Sequence, residues 1–160
     1  EHITAAASTG DSVGGVIQTA ITGIPAGVGE PWFDTIEGML SHGIFSIPAV
    51  KGIEFGNGFS ATDLYGSENN DEICILDGEI RTKTNNSGGI NGGITNGMPI
   101  VFKTAIKPTP SIFKEQNSIS LKNMAEEKLQ IKGRHDPCIV QRAVPVVEAV
   151  TAITLLDVIL

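Results

Sequence analysis

Residues 133–138 place an arginine, a histidine and an aspartate side by side between a glycine and a proline. Glycine admits backbone angles closed to other residues, and proline fixes its own φ and restricts the residue before it. The three side chains therefore belong to a defined turn. Arg134 can present a planar fork of donors to a phosphate or carboxylate, and Asp136 can move a proton or orient a base. A structural alternative stays open, in which the arginine and the aspartate cap the helix that follows.

Basic residues gather around this turn in a chain that is otherwise acidic. The net charge is −7, which argues against nucleic acid as a partner. Residues 1–102 carry three Lys or Arg against twelve Asp or Glu, a balance of −9, whereas residues 103–142 carry eight against four, a balance of +4. The local excess predicts a pocket for a small anion, and the alternative is a solvated basic face.

The loop of residues 85–97 is a second candidate site, with five glycines in thirteen residues. Such a loop exposes backbone N–H groups and lets an anion or a ring system approach the main chain. It is not a Walker A loop, because none of its glycines is followed by Lys-Ser or Lys-Thr. We interpret it as functional, with a purely structural long loop as the alternative.

Residues 107–111, Lys-Pro-Thr-Pro-Ser, are a third candidate and directly follow a predicted strand. The two prolines stiffen the segment and remove two donors, which leaves the N–H and hydroxyl groups of Thr109 and Ser111 to meet a phosphate. Lys107 would add the charge. The alternative is that the prolines merely end the strand.

Apolar periodicity and turn signals predict the elements that position these segments. A helix is expected to begin at Glu30-Pro31 with Trp32 in the core, and a second helix over residues 139–160 is expected to have Pro145 in its first turn. The second helix is apolar on nearly all sides, which predicts burial between two layers. The polar residues 66–72 are expected to form a mobile loop. Strands are predicted at residues 13–21, 53–59, 73–76, 79–84, 98–106, 116–121 and 126–131.

This order predicts an α+β fold, with antiparallel sheets packed with buried helices in a single domain over residues 1–160. Cys74 and Cys138 form no CxxC pair, so neither a zinc site nor a redox pair is expected. We find no signal peptide and no apolar run that could cross a bilayer, so a cytoplasmic protein without a membrane partner is expected. Because the chain begins without methionine and ends inside an apolar helix, we also expect it to be part of a longer chain.

The sequence resembles the C-terminal half of the chorismate synthase family along most of its length. The similar stretches follow one another in the family's order, and they include its Arg-His-Asp-Pro-Cys signature at residues 134–138. Any one of them alone would be weak, whereas six in register make chance similarity improbable. They are residues 10–15, 29–31, 49–52, 88–97, 107–110 and 134–138, the last continued by residues 143–145 and 148–149.

The resemblance implies a lyase that converts 5-enolpyruvylshikimate-3-phosphate to chorismate by a 1,4-elimination of phosphate, the last common step of the shikimate pathway of aromatic amino-acid biosynthesis. The implied cofactor is reduced FMN, with NADPH required only if the protein reduces its own flavin, and the implied assembly is a homotetramer. Carried over onto this sequence, the catalytic positions are Asp136 and Arg134. The implied FMN contacts are Pro48, through its backbone only, with Ala49, Gly92, Lys107, Pro108, Thr109, Pro110, Ser111 and Arg134.

The resemblance also implies that part of the catalytic machinery is missing from this sequence. The family's two catalytic histidines and most of its substrate-binding arginines belong to the N-terminal half. Residues 10–14 echo a Gly-Asp-Ser-His-Gly motif of that half with Val13 in place of the histidine, which suggests an internal duplication. We therefore predict no turnover by this chain alone.

Two alternatives to this enzyme stay open from sequence. One is a non-catalytic module that binds flavin or another anion, and the other is a structural piece whose glycine loop pairs with another subunit. The enzyme hypothesis further predicts that Arg134 lies close to both residues 107–111 and residues 88–97, in a single cradle.

Overall fold

The computed structural model describes residues 1–160, and its regular structure consists of nine strands, four α-helices and two 3-10 turns, Trp32–Asp34 and Gly58–Asp63. The strands are β1 (Gly15–Ile21), β2 (Val50–Phe55), β3 (Ile73–Leu76), β4 (Glu79–Thr82), β5 (Ile90–Asn91), β6 (Ile94–Thr95), β7 (Ile100–Ile106), β8 (Gln116–Ser120) and β9 (Ala125–Leu129). The helices are α1 (His2–Ser8), α2 (Ile36–Phe45), α3 (Gly66–Asn69) and α4 (Val140–Ile159). The predicted α+β class is therefore confirmed.

The core is built on a three-stranded antiparallel sheet in the order β1-β7-β2. Alternate residues of the central strand β7 are fully or almost fully buried, which is the period of two expected of a sheet with one covered face. Phe102 is the largest of them, and its ring lies 5.6 Å from the ring of Phe55 on β2. Helices α2 and α4 pack against each other and cover this face, α2 beside β2 and α4 beside β1.

Helix α2 begins later than its sequence predicts. It starts at Ile36 because the hydroxyl oxygen of Thr35 accepts the Gly38 N–H at 2.9 Å, an N-cap that ends the preceding extended backbone. Trp32 belongs to a separate 3-10 turn (Trp32–Asp34), has a φ of 73° and is 84% exposed. The predictions that the helix begins at Glu30-Pro31 and that Trp32 lies in the core are wrong.

Helix α4 is buried along one stripe only. Val147, Thr151 and Leu155 are buried, whereas Ile153 and Leu156 are 67% and 58% exposed. Burial between two layers, as predicted, is not found, because α2 and β1 are the main neighbours of the helix and leave its other side uncovered. Pro145 is the sixth residue of α4, so its predicted place in the first turn is also wrong.

Three short hairpins lie outside the central sheet. β3–β4 and β8–β9 confirm two predicted strand pairs, and Asp77 and Gly78 take the positive φ values that a tight hairpin turn requires. β5–β6 forms inside the glycine loop. Strand β2 ends at Phe55, short of the predicted residue 59, and a helical turn, α3, lies within residues 66–72. None of the helices combines the length and apolarity needed to cross a bilayer.

Candidate functional site

One end of the central sheet gathers segments that are distant in sequence. β1 begins, β7 ends and β2 begins at this end, since Gly15 and Val50 both pair with Ile106. The segments that flank these strands, residues 10–14, 47–49 and 107–113, are therefore neighbours. Most of the predicted site residues lie on them or on the turn before α4.

Hydrogen bonds join these segments directly. The Lys107 N–H donates to the carbonyl of Ala49 at 2.9 Å, and the Ser12 hydroxyl donates to the carbonyl of Thr109 at 2.6 Å. The Val13 N–H donates to the carbonyl of Pro137 at 2.8 Å. Residues 10–14 thus connect residues 107–113 to the Arg-His-Asp turn, which gives this stretch a structural role.

The side chains of the Arg-His-Asp turn point to different surroundings. Arg134 is exposed and takes part in none of the chain's ion pairs or side-chain hydrogen bonds. The ring of His135 lies edge-on to Phe113 with centroids 4.7 Å apart. Asp136 Oδ2 lies 2.8 Å from Nη1 of Arg142, the third residue of α4. No side chain caps α4 by a hydrogen bond, so the structure does not support the capping alternative.

Two ion pairs at this end of the sheet are not apparent from the sequence, that of Arg142 with Asp136 and that of Lys114 with Asp11. Lys114 Nζ lies 2.7 Å from Asp11 Oδ2, and this hydrogen bond lowers the pKa of the Asp11 carboxyl, helped by the Ser12 N–H. The count of basic residues around the turn included both cations but could not assign their partners. Two cations at this end therefore have a carboxylate partner already.

Of the predicted site residues at this end, Lys107 and Arg134 are the cations, and both are unpaired. Both are exposed, and neither lies within ion-pair distance of a carboxylate. The Thr109 hydroxyl oxygen is buried and makes no hydrogen bond within the chain. Ala49 has a φ of 71°, which brings its backbone into a conformation unusual for alanine. Two free cations, a hydroxyl and a strained backbone fit an anionic ligand that approaches the main chain closely.

The other predicted contacts divide between this end and the opposite one. Pro48, Pro108 and Pro110 are exposed and Ser111 is half-buried, all at the end where β7 terminates. Gly92 lies at the opposite end, because the carbonyl of its neighbour Gly93 accepts the N–H of Ile36 at the start of α2, whereas Ala49 follows the end of α2. The ten residues of α2 span about 15 Å.

Strand β7 gives a similar separation of about 20 Å between the glycine loop that precedes it and Lys107 that follows it. The predicted single cradle of Arg134, residues 107–111 and residues 88–97 is therefore not formed within this chain. Whether Gly92 contacts a ligand stays a prediction.

Close packing explains most of the glycines in the loop of residues 85–97. A Cβ added at Gly88 would lie 2.5 Å from the backbone nitrogen of Gly56 and 2.7 Å from the carbonyl oxygen of Val101. At Gly92 nothing lies within 4 Å, and the residue is exposed at the tip of the β5–β6 hairpin. The open backbone expected of the whole loop is found only at this tip and at Gly97, which is also exposed.

Asp71 holds the entry of this loop. Its carboxylate accepts the Thr84 hydroxyl at 2.7 Å, the Asn86 N–H at 2.7 Å and the Ser87 N–H at 2.9 Å. Burial by itself raises the pKa of Asp71, but these hydrogen bonds to the ionised form outweigh it, and the net pKa is lowered below 3.8. Nothing in the sequence marked this residue, because its donors lie thirteen to sixteen positions away.

The fold should lose stability at low pH, because the Asp71 carboxylate becomes protonated. Since its pKa is depressed in the folded chain, its stabilisation is complete above the ordinary value of 3.8 and is lost as the pH falls through the lower folded value. We expect the free energy of unfolding to fall more steeply below about pH 4 in the unsubstituted chain than in Asp71→Asn. Urea denaturation from pH 6 downward measures this, and equal slopes for both chains would contradict it.

Comparisons with known proteins agree on one family. A family model described as chorismate synthase matches residues 1–160. The chorismate synthase of Archaeoglobus fulgidus is 55% identical over 150 residues, which are 94% of this chain and 42% of that protein. The chorismate synthase of Methanococcus maripaludis is 54% identical over 147 residues, 92% of this chain and 39% of that protein.

A solved structure described as the crystal structure of chorismate synthase superposes with a TM-score of 0.77 at 34% sequence identity. The match covers 98% of this chain and 40% of that one. The chain thus spans well under half the length of the relatives that it matches, and the shared fold includes the end of the sheet described above.

Proposed function

The chain belongs to the chorismate synthase family, and on this premise we propose that it forms the C-terminal part of a lyase that converts 5-enolpyruvylshikimate-3-phosphate to chorismate with reduced FMN. The observation that carries the proposal is the convergence of Ala49, Lys107, Thr109 and the Arg-His-Asp turn at one end of the sheet. These segments lie up to about ninety residues apart in sequence and share two unpaired cations.

We assign binding of the anionic ligands to Lys107 and Arg134. Each is a cation without an internal carboxylate partner, so a phosphate or carboxylate gains a charge-assisted hydrogen bond without breaking an ion pair. Such bonds contribute about 1.5–3 kcal/mol each. Thr109 and Ser111 add hydroxyl groups, and the backbone around Pro48, Ala49, Pro108 and Pro110 is the surface that a flat ring would contact. Gly92 stays a proposed flavin contact, but it lies at the other end of the sheet and does not share a cradle with these residues within this chain.

Asp136 is the residue to which we assign proton removal. When bound, reduced FMN supplies an electron-rich ring beside the substrate, in a reaction without net redox change. The ion pair with Arg142 fixes the orientation of the Asp136 carboxylate on its turn, and Arg134, two residues earlier, can hold negative charge next to it. The proton donors are expected from a part of the enzyme that these 160 residues do not include.

A chimera tests the proposal, because the isolated chain is expected to be inactive. The chain replaces the matching 150-residue region of the Archaeoglobus fulgidus relative, and chorismate formation is followed with reduced FMN and substrate under anaerobic conditions. We expect turnover by the chimera and none by the 160 residues alone. A folded chimera that neither binds reduced FMN nor forms chorismate would refute the proposed function. Turnover by the isolated chain would refute the expectation that the proton donors lie outside these 160 residues.

The remaining expectations follow from the family alone. We propose a cytoplasmic homotetramer, with NADPH as a further cofactor only if the protein reduces its own flavin. Flavin reduction by NADPH in the absence of a partner reductase tests the cofactor, and the mass in solution tests the homotetramer.

A further inference from the structure

The glycine loop is held by polar side chains at both of its ends. At its exit, the Thr95 hydroxyl donates to the carbonyl of Pro25 at 2.7 Å and accepts the Val28 N–H at 2.9 Å. Across its neck, Asn96 Nδ2 donates to Asn91 Oδ1 at 2.7 Å. At its entry, both carboxylate oxygens of Asp71 are engaged. Only the tip at Gly92 is left exposed between these clamps.

We propose that Asp71 is a positioning residue of the flavin site, which fixes the entry of the glycine loop and through it the backbone at Gly92. The residue touches no reacting atom and acts through Asn86 and Ser87. The inference rests on the proposed function, because only that proposal assigns Gly92 to the flavin site. No contact within this chain does so.

The chemistry of the clamp requires a carboxylate. Three donors converge on Asp71, two of them backbone N–H groups whose positions define the loop. A carboxylate is an acceptor at both oxygens, whereas an amide presents an NH2 group in place of one of them. In Asp71→Asn that NH2 would face a donor, either the Ser87 N–H or the pair formed by Thr84 and Asn86, and at least one hydrogen bond would be lost.

Other contacts keep the loop folded when this clamp is weakened. The Asn57 N–H donates to the carbonyl of Asn86 at 2.8 Å, and Asn86 Nδ2 donates to the carbonyl of Asn69 at 3.1 Å. Asp71→Asn should therefore loosen the loop without unfolding the chain. Thr84→Val is a matched control, because it removes one donor to the same carboxylate and leaves both N–H groups of the loop in place.

The test uses the full-length natural chain that contains this sequence and measures two quantities. For Asp71→Asn we expect reduced FMN to bind about tenfold more weakly and peptides spanning residues 85–97 to exchange their amide hydrogens about tenfold faster. For Thr84→Val we expect at most about a twofold change in either quantity. Asp63→Asn, at an exposed carboxylate, controls for the loss of one charge.

Unchanged exchange in Asp71→Asn, or faster exchange with unchanged flavin affinity, would overturn the inference. If the unsubstituted protein binds no reduced FMN, the proposed function fails, and the exchange comparison still decides whether Asp71 holds the loop. If Asp71→Asn does not fold, amide exchange in the unsubstituted chain still tests whether Asp71 holds the loop. Its Asn86 and Ser87 amides should exchange more slowly than that of Gly78 in the exposed hairpin turn, and equal rates would overturn the proposal.

Discussion

Replacing Asp136 with asparagine should lower the rate of chorismate formation by about 100- to 10,000-fold, the range expected when a residue that moves a proton in the transition state is lost. Asparagine has the same shape and can still accept a hydrogen bond from Arg142, so the turn should keep its conformation. We therefore expect the affinity for reduced FMN to change by no more than about threefold. The variant is made in the Archaeoglobus fulgidus chimera, where turnover at saturating substrate and flavin binding are measured separately.

Asp63→Asn is the matched control for this prediction. Asp63 is exposed and forms no ion pair, so the same chemical change there should leave turnover unaltered. An Asp136→Asn chimera that retained more than about a tenth of the rate would remove Asp136 from proton transfer. Loss of flavin binding in parallel with turnover would instead make it a binding residue.

Replacing Gly14 with alanine should destabilise the chain by about 3 kcal/mol and weaken flavin binding at the same time. An added Cβ would lie 2.2 Å from the carbonyl oxygen of Ile106 and 3.0 Å from the backbone nitrogen of Pro108. These are main-chain atoms, so the clash cannot be relieved by a rotamer change. Residues 10–14 would have to separate from residues 106–108, which carry Lys107 and precede Thr109.

Urea denaturation of the 160-residue chain measures this loss of stability, and titration with reduced FMN measures the accompanying loss of binding. Gly66→Ala is the control, since nothing lies within 4 Å of its added Cβ and alanine is favourable in a helical turn such as α3. A loss below about 1 kcal/mol for Gly14→Ala would mean that the two segments separate easily and that their contact does not define the site.

Local patterns predicted the strands and hairpins well but placed the helix boundaries less accurately. The alternation along β7 and the Asp-Gly turn of the β3–β4 hairpin depend on neighbours in sequence, and both are found in the structure. The start of α2 was predicted at Glu30-Pro31, whereas Thr35 is its N-cap and Ile36 its first residue. The side-chain cap at Thr35 decided this start. Helix α1, which precedes β1, was not predicted at all.

The exposure of Trp32 and of one face of α4 could not be predicted from the composition of those segments. An apolar sequence indicates that a face is suited to burial, but the amount of burial depends on what else packs against it. Here α2 and β1 cover α4 on one side, so Ile153 and Leu156 stay exposed. The prediction of a helix between two layers assumed a second layer that these 160 residues do not form.

The sequence by itself determined the family and the fold class and predicted which segments carry the chemistry, because motif order, apolar periodicity and charge distribution are properties of residues near one another in the chain. Only the tertiary structure decided which of these segments meet. The ends of β1, β2 and β7 bring Ala49, Lys107 and the Arg-His-Asp turn together, whereas the lengths of α2 and β7 keep Gly92 at the far end of the sheet. The donors to Asp71 were decided there as well, since hydrogen bonds between residues thirteen to sixteen positions apart form only once the β3–β4 register has set their separation.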